Sequence, residues 1–453
     1  MLNVLLIGSG AREHALAQAM FLQQASRGPV ALHPDSGSTA SPREFEGPAP
    51  RHPSTATELY NIGSSVNPGI AALAKEIVII PFTDLVAIQN YAKDKAIDLA
   101  IIGPEKPLEL GLADALKAIG IPVVGPTKKL AEIESSKGFA RDLMQKYDID
   151  GLPRYQRFEG WNHDAKIFLE SLNGEYVVKA DGLMSGKGVK VAGDHLHSLA
   201  DAEAFCREIA GPFVIEEKLQ GPEFSLLSFS DGEHLAHMPV VQDHKRLLEG
   251  DKGPNTGGMG TYTLANHLLP FLNESDVAAA QAMNEAVVKA LREETGESYQ
   301  GILYGGFMKT ADGIKVIEFN ARFGDPESIN LLGLLETHFI EICEAIVTGK
   351  LNQTEVKFAK QASVCKYLVP PGYPDHPEKG GLLDISQAKT SSLHYASVEA
   401  AGNKLKMLGS RALAVLAVAD NLAVAEQVVE ANIANIKGEF RHRRDIGLVV
   451  SLS

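Results

Sequence analysis

Val316-Ile317-Glu318-Phe319-Asn320-Ala321-Arg322-Phe323, running on into Gly324-Asp325-Pro326-Glu327, alternates apolar and polar residues with the period of a half-buried strand. Side chains change face at every residue of a strand. Ile317, Phe319, Ala321 and Phe323 therefore fall on one face, and Glu318, Asn320 and Arg322 on the other. Two residues at ~3.3 Å rise put the carboxylate and the amide oxygen about 6.6 Å apart along the strand. Hard oxygen donors beside an arginine suit a magnesium–phosphate site. The strand is thus read as one edge of an anion-handling enzyme.

Outward from this strand, Lys179-Ala180-Asp181-Gly182-Leu183-Met184-Ser185-Gly186-Lys187-Gly188-Val189 joins two expected strands, Tyr176–Lys179 and Val189–Ala192. Gly182, Gly186 and Gly188 leave backbone N–H groups free to approach phosphate. Lys179 closes the first strand and is placed to hold a phosphate. Gly188 stands after Lys187 where a P-loop needs Ser or Thr, so this is not that motif. Expected strand Phe213–Glu217 ends in the paired acids Glu216 and Glu217, with Glu223 just beyond. These carboxylates suit the hydroxyls of a ribose, or simply cap a strand. Gln242-Asp243-His244-Lys245-Arg246 and Gly253-Pro254-Asn255-Thr256-Gly257-Gly258-Met259-Gly260 share one polar stretch, the composition of a closing loop over a small phosphorylated substrate. His244 is a candidate general base, with a structural histidine as the bland alternative.

The first hundred residues follow parallel α/β logic. Strand Asn3–Ile7 ends in Gly8-Ser9-Gly10-Ala11-Arg12-Glu13-His14 and a helix. A helix N-terminus after a glycine turn is a natural anion site. Glu13 stands where the dinucleotide fingerprint needs glycine, which disfavours a nicotinamide cofactor. Further strands are expected at Leu59–Ser64, Ile77–Ile80, Leu99–Ile102 and Pro122–Val124. Helices are expected at Thr83–Lys93, Leu110–Ala118 and Lys129–Tyr147. This alternation predicts a doubly wound sheet with its glycine turns at 8–10, 103–105 and 125–127 clustered beyond the strand ends. Residues 26–56 hold six prolines and little periodicity, the signature of a surface excursion. Helix 274–295 precedes the opening strand, and a β-rich tail with a helix at 421–436 follows residue 351.

The chain has 453 residues, enough for two to four domains. Its net charge of −14 argues against non-specific nucleic-acid binding. Its three cysteines, Cys206, Cys343 and Cys365, form no metal pattern and read as reduced thiols. No apolar run approaches a membrane span and no leader precedes the first strand, so a cytoplasmic location is expected.

Taken in order, GAREHAL (10–16), IGPEKP (102–107), SKGF (136–139), KADGLMSGKGV (179–189), QDHKR (242–246), GPNTGGMG (253–260), GILYGGFM (301–308), VIEFNARFGDPE (316–327) and RRDIG (443–447) resemble the phosphoribosylamine–glycine ligases of the ATP-grasp superfamily. The resemblance implies an N-terminal Rossmann-like domain over 1–130 and an ATP-grasp domain over 131–350 with a small lobe at about 150–220. A small β-rich α/β domain over 351–453 completes the chain. It implies ATP as co-substrate with Mg2+ or Mn2+, glycine and 5-phosphoribosylamine as small-molecule partners, and a monomer or weak homodimer. Lys137, Lys179, Gly182, Ser185, Gly186, Lys187, Gly188, Glu216, Glu217 and Glu223 would bind ATP, and Glu318 and Asn320 the metal. Asp243, His244, Lys245 and Arg322 would serve catalysis. Gly10, Ala11, Arg12, Glu13, Pro104, Glu105, Asn255, Thr256, Gly257, Gly258, Met259, Gly324 and Asp325 would bind the other substrates. The chain departs from the usual pattern at Ala11, at Asn67–Ala72, at Ser328-Ile329, at Ser410 and in the 26–56 insert. Another ATP-grasp ligase or carboxylase, and an ATP-binding module without catalysis, are the rival readings.

Overall fold

The computed structural model describes residues 1–21, 57–184 and 188–448. The 26–56 insert and the loop residues Ser185, Gly186 and Lys187 lie outside these.

β1 (Leu2–Ile7), β2 (Thr57–Gly63), β3 (Glu76–Ile79), β4 (Leu99–Ile102) and β5 (Val123–Val124) form one parallel sheet in the order β3-β2-β1-β4-β5. Val4–Ile7 and Leu99–Ile102 are buried throughout, as a strand covered on both faces must be. Strand order reverses between β1 and β4, which opens a crevice at their carboxyl ends. Gly103 N–H donates to Ile7 O (3.1 Å) and so brings the first two glycine turns together. The third does not join them: Gly125 N–H donates to Gln300 O (3.0 Å) and its backbone packs on Gly301.

One expected helix is shortened and one is broken. Leu110–Ala118 is present as Leu112–Lys117, set off by Gly111 at φ +84° from a short helix at Glu105–Glu109. Lys129–Tyr147 is split into Glu132–Ser135 and Lys137–Lys146 because Ser136 is extended and caps the second piece. Its hydroxyl accepts from Phe139 N–H (3.0 Å) and donates to Asp181 (3.0 Å). Helical periodicity continued through the break, but the local serine cap outcompeted it.

The small lobe is an antiparallel sheet of β6 (Tyr155–Phe158), β7 (Tyr176–Ala180), β8 (Val189–Val191) and β9 (Phe213–Glu217), ordered β6-β9-β7-β8. The loop expected to cover ATP joins β7 to β8. β10 (Glu223–Asp231) and β11 (Leu235–His237) begin the next sheet. β12 (Gln242–Asp243), β13 (Arg246–Leu248), β14 (Lys252–Asn255) and β15 (Gly260–Thr263) follow. β13 and β14 pair as a hairpin. β16 (Gln300–Thr310) and β17 (Gly313–Asn320) complete the order β11-β10-β16-β17. The helix Glu274–Thr295 lies where expected, held by an Asn273/Asp276 capping box and ended by Gly296.

β18 (Ala362–Leu368), β19 (Leu382–Leu383), β20 (Leu393–Tyr395), β21 (Val398–Ala401), β22 (Lys404–Met407) and β23 (Leu413–Ala419) make up the β-rich tail, followed by helix Leu422–Ala434. The sheet β12-β15-β18-β23-β20 unites strands from before and after residue 351. The polar stretch at 242–263 is therefore built onto the tail.

The opening strand differs from the simple alternation. Gly306 faces Glu318 but Phe307 faces Val316, so Ile317 is an extra residue in a bulge. Ile314, Val316 and Phe319 are buried in the core, while Ile317 turns to the cavity described below. The strand ends at Asn320, and Ala321–Phe323 continue as a bend.

Candidate active site

The bulge has a chemical consequence: it frees the Ile317 carbonyl. Arg141 Nη2 (2.7 Å) and Lys179 Nζ (3.1 Å) both donate to it. The same two cations hold Glu216, Arg141 through Nε (2.7 Å) and Nη2 (3.1 Å), and Lys179 at 2.7 Å. All three side chains are buried. Burial alone would raise the Glu216 carboxyl, but Arg141 and Lys179 outweigh it and hold it at about 2. Desolvation moves the Lys179 ammonium the other way, below its ordinary value. The Glu216 carboxylate, expected beside adenine and ribose, is thus taken up by this triad. Sequence reading missed Arg141, which resembles any surface arginine of an amphipathic helix.

Glu217 accepts from Arg154 N–H (2.9 Å) at the outer end of β9. Lys137 Nζ donates to Gly182 O (2.9 Å), placing its ammonium at the base of the glycine loop. Glu223 pairs with Lys245 (3.2 Å). Glu223, Asp243, Lys245, Tyr304, Ile317 and Glu318 line one small cavity. Burial opposes ionisation of Glu318, yet Lys245, Lys179 and Lys137 reverse the balance and lower its pKa. The cavity therefore presents an ionised carboxylate among cations, and Tyr304 OH links Ser225 (2.6 Å) to Glu327 (3.0 Å) behind it.

Arg322 is held by several protein groups, while its Nε is buried without a hydrogen-bond partner. It donates to Asn320 Oδ1 (3.2 Å), pairs with Glu134 (2.9 Å) and lies 3.3 Å from Glu105. Glu134, absent from the sequence reading, also accepts from Ala321 N–H (2.7 Å). These contacts follow from the end of β17, which turns Arg322 toward the crevice of the N-terminal sheet.

The loop expected to face the acceptor substrates is held by backbone contacts. Thr256 N–H and Oγ1 both donate to Lys245 O (2.7 and 2.9 Å), and Met259 N–H donates to His244 O (2.8 Å). Gly258 has φ +104°, and a Cβ there would sit 2.7 Å from Asp243 Oδ1. That oxygen is buried without a hydrogen-bond partner. Burial first, and Glu327 second, raise the Asp243 carboxyl well above its usual range. Burial also lowers His244 to about 4, so its ring is neutral near pH 7. Arg411, next to the departure at Ser410 and not singled out in the sequence, donates to Gly257 O (2.6 Å) and Gly258 O (3.1 Å). It also pairs with the Asp325 carboxylate (3.1 Å), which accepts from Tyr367 OH (2.6 Å). Asn255 is exposed at the end of β14, and Gly324 packs against Glu327.

At the N-terminal turn, Gly10 N–H donates to Glu13 (2.7 Å), and Glu13 fills the space left by Gly8 and Gly103. Arg12 pairs with Glu13 (2.6 Å) and donates to Phe323 O (3.1 Å). The turn thus folds onto its own carboxylate and reaches the RFGDPE segment through Arg12. Pro104 closes over Glu13, and Ala11 is buried at the helix start.

A small antiparallel lobe carrying Lys179 beside a second sheet carrying Glu318 is the architecture of an ATP-grasp ligase. The chain belongs to the phosphoribosylglycinamide synthetase family: residues 51–134 match its N domain, 135–328 its ATP-grasp (A) domain and 363–449 its C domain. Phosphoribosylamine–glycine ligases of Methanocella arvoryzae and Methanocaldococcus jannaschii are each 44% identical, covering 98% of this chain and 96% of theirs. The crystal structure of the Thermotoga maritima phosphoribosylamine–glycine ligase superposes with a TM-score of 0.77 at 26% identity, covering 98% of this chain and all of that one. A Campylobacter jejuni biotin carboxylase shares the fold alone, with a TM-score of 0.69 at 12% identity, 98% of this chain and 94% of its own length.

Proposed function

We propose that the chain joins glycine to 5-phosphoribosylamine, with cleavage of ATP to ADP and phosphate, in purine biosynthesis. The observation that carries this reading is the ionised Glu318 among Lys137, Lys179 and Lys245, beside the unpaired Asp243. Two anions must meet when the glycine carboxylate attacks the γ-phosphorus, and the surrounding cations offset their repulsion. The attack forms glycyl phosphate and releases ADP. The sugar amine then adds to the acyl carbon, phosphate leaves, and the amine gives up a proton. Lys179 and Lys137 hold ATP phosphates, with Gly182 and Gly188 framing the loop between β7 and β8. Ser185, Gly186 and Lys187 complete that loop. Glu217 and Glu223 flank the nucleoside end.

Magnesium or manganese fits the residues present. Glu318 offers an ionised oxygen and Asn320 an amide oxygen, both hard donors, with further positions open to phosphate and water. When bound, the ion neutralises phosphate charge. Among the described residues no group of three His, Cys, Asp or Glu is set to hold a metal by itself. Asn320 Oδ1 accepts one hydrogen bond from Arg322 and keeps a second lone pair for the ion. Asp243 and Lys245 would orient glycine and the sugar amine, and Asn255–Met259 would close over them. Gly10–Glu13, Pro104, Glu105, Gly324 and Asp325 would form the sugar-phosphate side. The buried, neutral His244 is best read as supporting the loop.

No described helix is long and apolar enough to cross a membrane. The reading includes a cytoplasmic monomer or weak homodimer acting on small molecules, with the three domains bounded near residues 130 and 350. Mass-spectrometric detection of glycinamide ribonucleotide from glycine, ATP and phosphoribosylamine tests the reaction directly. Absence of that product with all three substrates present contradicts it.

A further inference from the structure

The segment Arg443-Arg444-Asp445 has no part in the reaction as derived, yet Arg443 is the largest fully buried side chain among the described residues. Its guanidinium is fixed on one side by Asp445, through Nε (2.9 Å) and Nη2 (2.6 Å). On the other side Nη1 donates to Arg246 O (3.0 Å) and to the Asp251 carboxylate (2.7 Å). Asp445 in turn accepts from Gly250 N–H (2.9 Å). Both the base and the tip of the β13–β14 hairpin are thus tied to one arginine–carboxylate fork. That hairpin runs directly into Asn255–Met259 and begins next to Lys245. Its far face reaches the small lobe, where Arg246 pairs with Asp194 just beyond β8. Among the described residues the hairpin pairs with no other strand, so these contacts hold its position.

We propose that Arg443 and Asp445 are positioning residues for the acceptor loop: the fork holds the 246–255 hairpin so that Lys245 and Asn255–Met259 stand ready for the sugar amine and glycine. The inference rests on the functional reading given above for that loop. Planar, charge-assisted forks fix geometry more tightly than single hydrogen bonds. A displacement of about 1 Å at a substrate loop costs on the order of a hundredfold in rate. Loss of the fork should therefore be felt at the acceptor substrates before it is felt at ATP.

The test compares wild-type full-length protein with Arg443→Met and Asp251→Asn. Steady-state kinetics and tryptic cleavage after the exposed Lys252 under native conditions are the readouts. Arg443→Met should raise the KM for glycine or phosphoribosylamine about tenfold or more, leave the KM for ATP within about twofold, and speed cleavage after Lys252. Asp251 is exposed and has φ +51°, a conformation asparagine tolerates. Asp251→Asn should therefore fold and shift the same readouts in the same direction by about threefold. Unchanged acceptor KM and cleavage rate in Asp251→Asn and in folded Arg443→Met overturn the proposal. So does a uniform fall in all parameters that tracks melting temperature. Failure of the wild type to use glycine and phosphoribosylamine would overturn the functional reading instead, while the cleavage comparison still reports on the fork.

Discussion

Arg322 Nη2 donates a hydrogen bond to Asn320 Oδ1 at 3.2 Å, so the cation already holds one of the proposed metal oxygens. The guanidinium also pairs with Glu134 and lies beside Glu105, while its Nε is buried without a hydrogen-bond partner. An amide oxygen carries two lone pairs, so Arg322 and a metal ion can share Asn320 Oδ1. Arg322→Met removes the second cation at that oxygen but leaves Glu134 buried without its cation. We expect metal affinity in the presence of ATP to hold or improve and turnover to fall by about a hundredfold or more. Metal titration of activity checks both.

Glu318 is the ionised member of the pair. Glu318→Gln should leave the fold intact and cut turnover at least ~100-fold, equivalent to ~2.7 kcal/mol at 1.36 kcal/mol per decade. Near-normal turnover at saturating magnesium would remove Glu318 from the metal site.

Glu216 couples the two lobes through Arg141 and Lys179. Removing Arg141 leaves a buried carboxylate with one partner, and Arg141→Met should destabilise the protein by about 3–5 kcal/mol in denaturant unfolding. The Glu216 carboxyl is held at about 2 against an ordinary 4.5. A depressed folded-state value contributes stability that is fully present above the ordinary value and lost as pH falls toward the folded one. Wild-type stability should therefore decline between about pH 4.5 and 2 through this group, and Glu216→Gln should flatten that decline.

Gly258 stands at φ +104° against Asp243 and Pro326. A methyl group there meets both, so Gly258→Ala should displace the loop and reduce kcat/KM for the acceptor substrates about thirtyfold or more. Wild-type kinetics in this variant would show that the loop does not close on substrate as described.

Asp243 has the opposite titration to Glu216. Its carboxyl is raised by burial and by Glu327, so the ionised form grows as pH rises. If it receives a substrate ammonium, kcat/KM for glycine should climb on the acid side of the pH profile. Asp243→Asn should abolish that limb. His244, lowered to about 4, contributes no limb near neutral pH. A limb that persists in Asp243→Asn would assign it elsewhere.

Much of the architecture was legible because the N-terminal strands are continuous apolar runs ended by glycine turns, and Glu274–Thr295 carries its own cap. Glu318 was legible as an acid facing a polar site, and it lines the small cavity with Glu223, Asp243 and Lys245. The bulge at Ile317 was not, since a strict period of two has no place for an extra residue. Nor was the break at Ser136, where one side-chain cap overrode a continuous helical pattern. Arg141, Glu134 and Arg411 escaped because the partners cited for them lie 75 to 187 residues away along the chain, and the tie from Arg443 to the hairpin spans 197. Local pattern holds no record of such pairings. For the same reason the buried countercharges that engage Glu216 and Arg322 could not be read from the sequence.

Glycine-dependent ADP release by the purified chain, with magnesium, ATP and phosphoribosylamine generated in situ, is the most direct measurement of the reaction. ADP and phosphate are expected in equal amounts, formed only when glycine and the sugar amine are both present, with no substitution of bicarbonate for glycine. Bicarbonate-supported ADP release, or tight ATP binding with no turnover under these conditions, would contradict the proposed reaction.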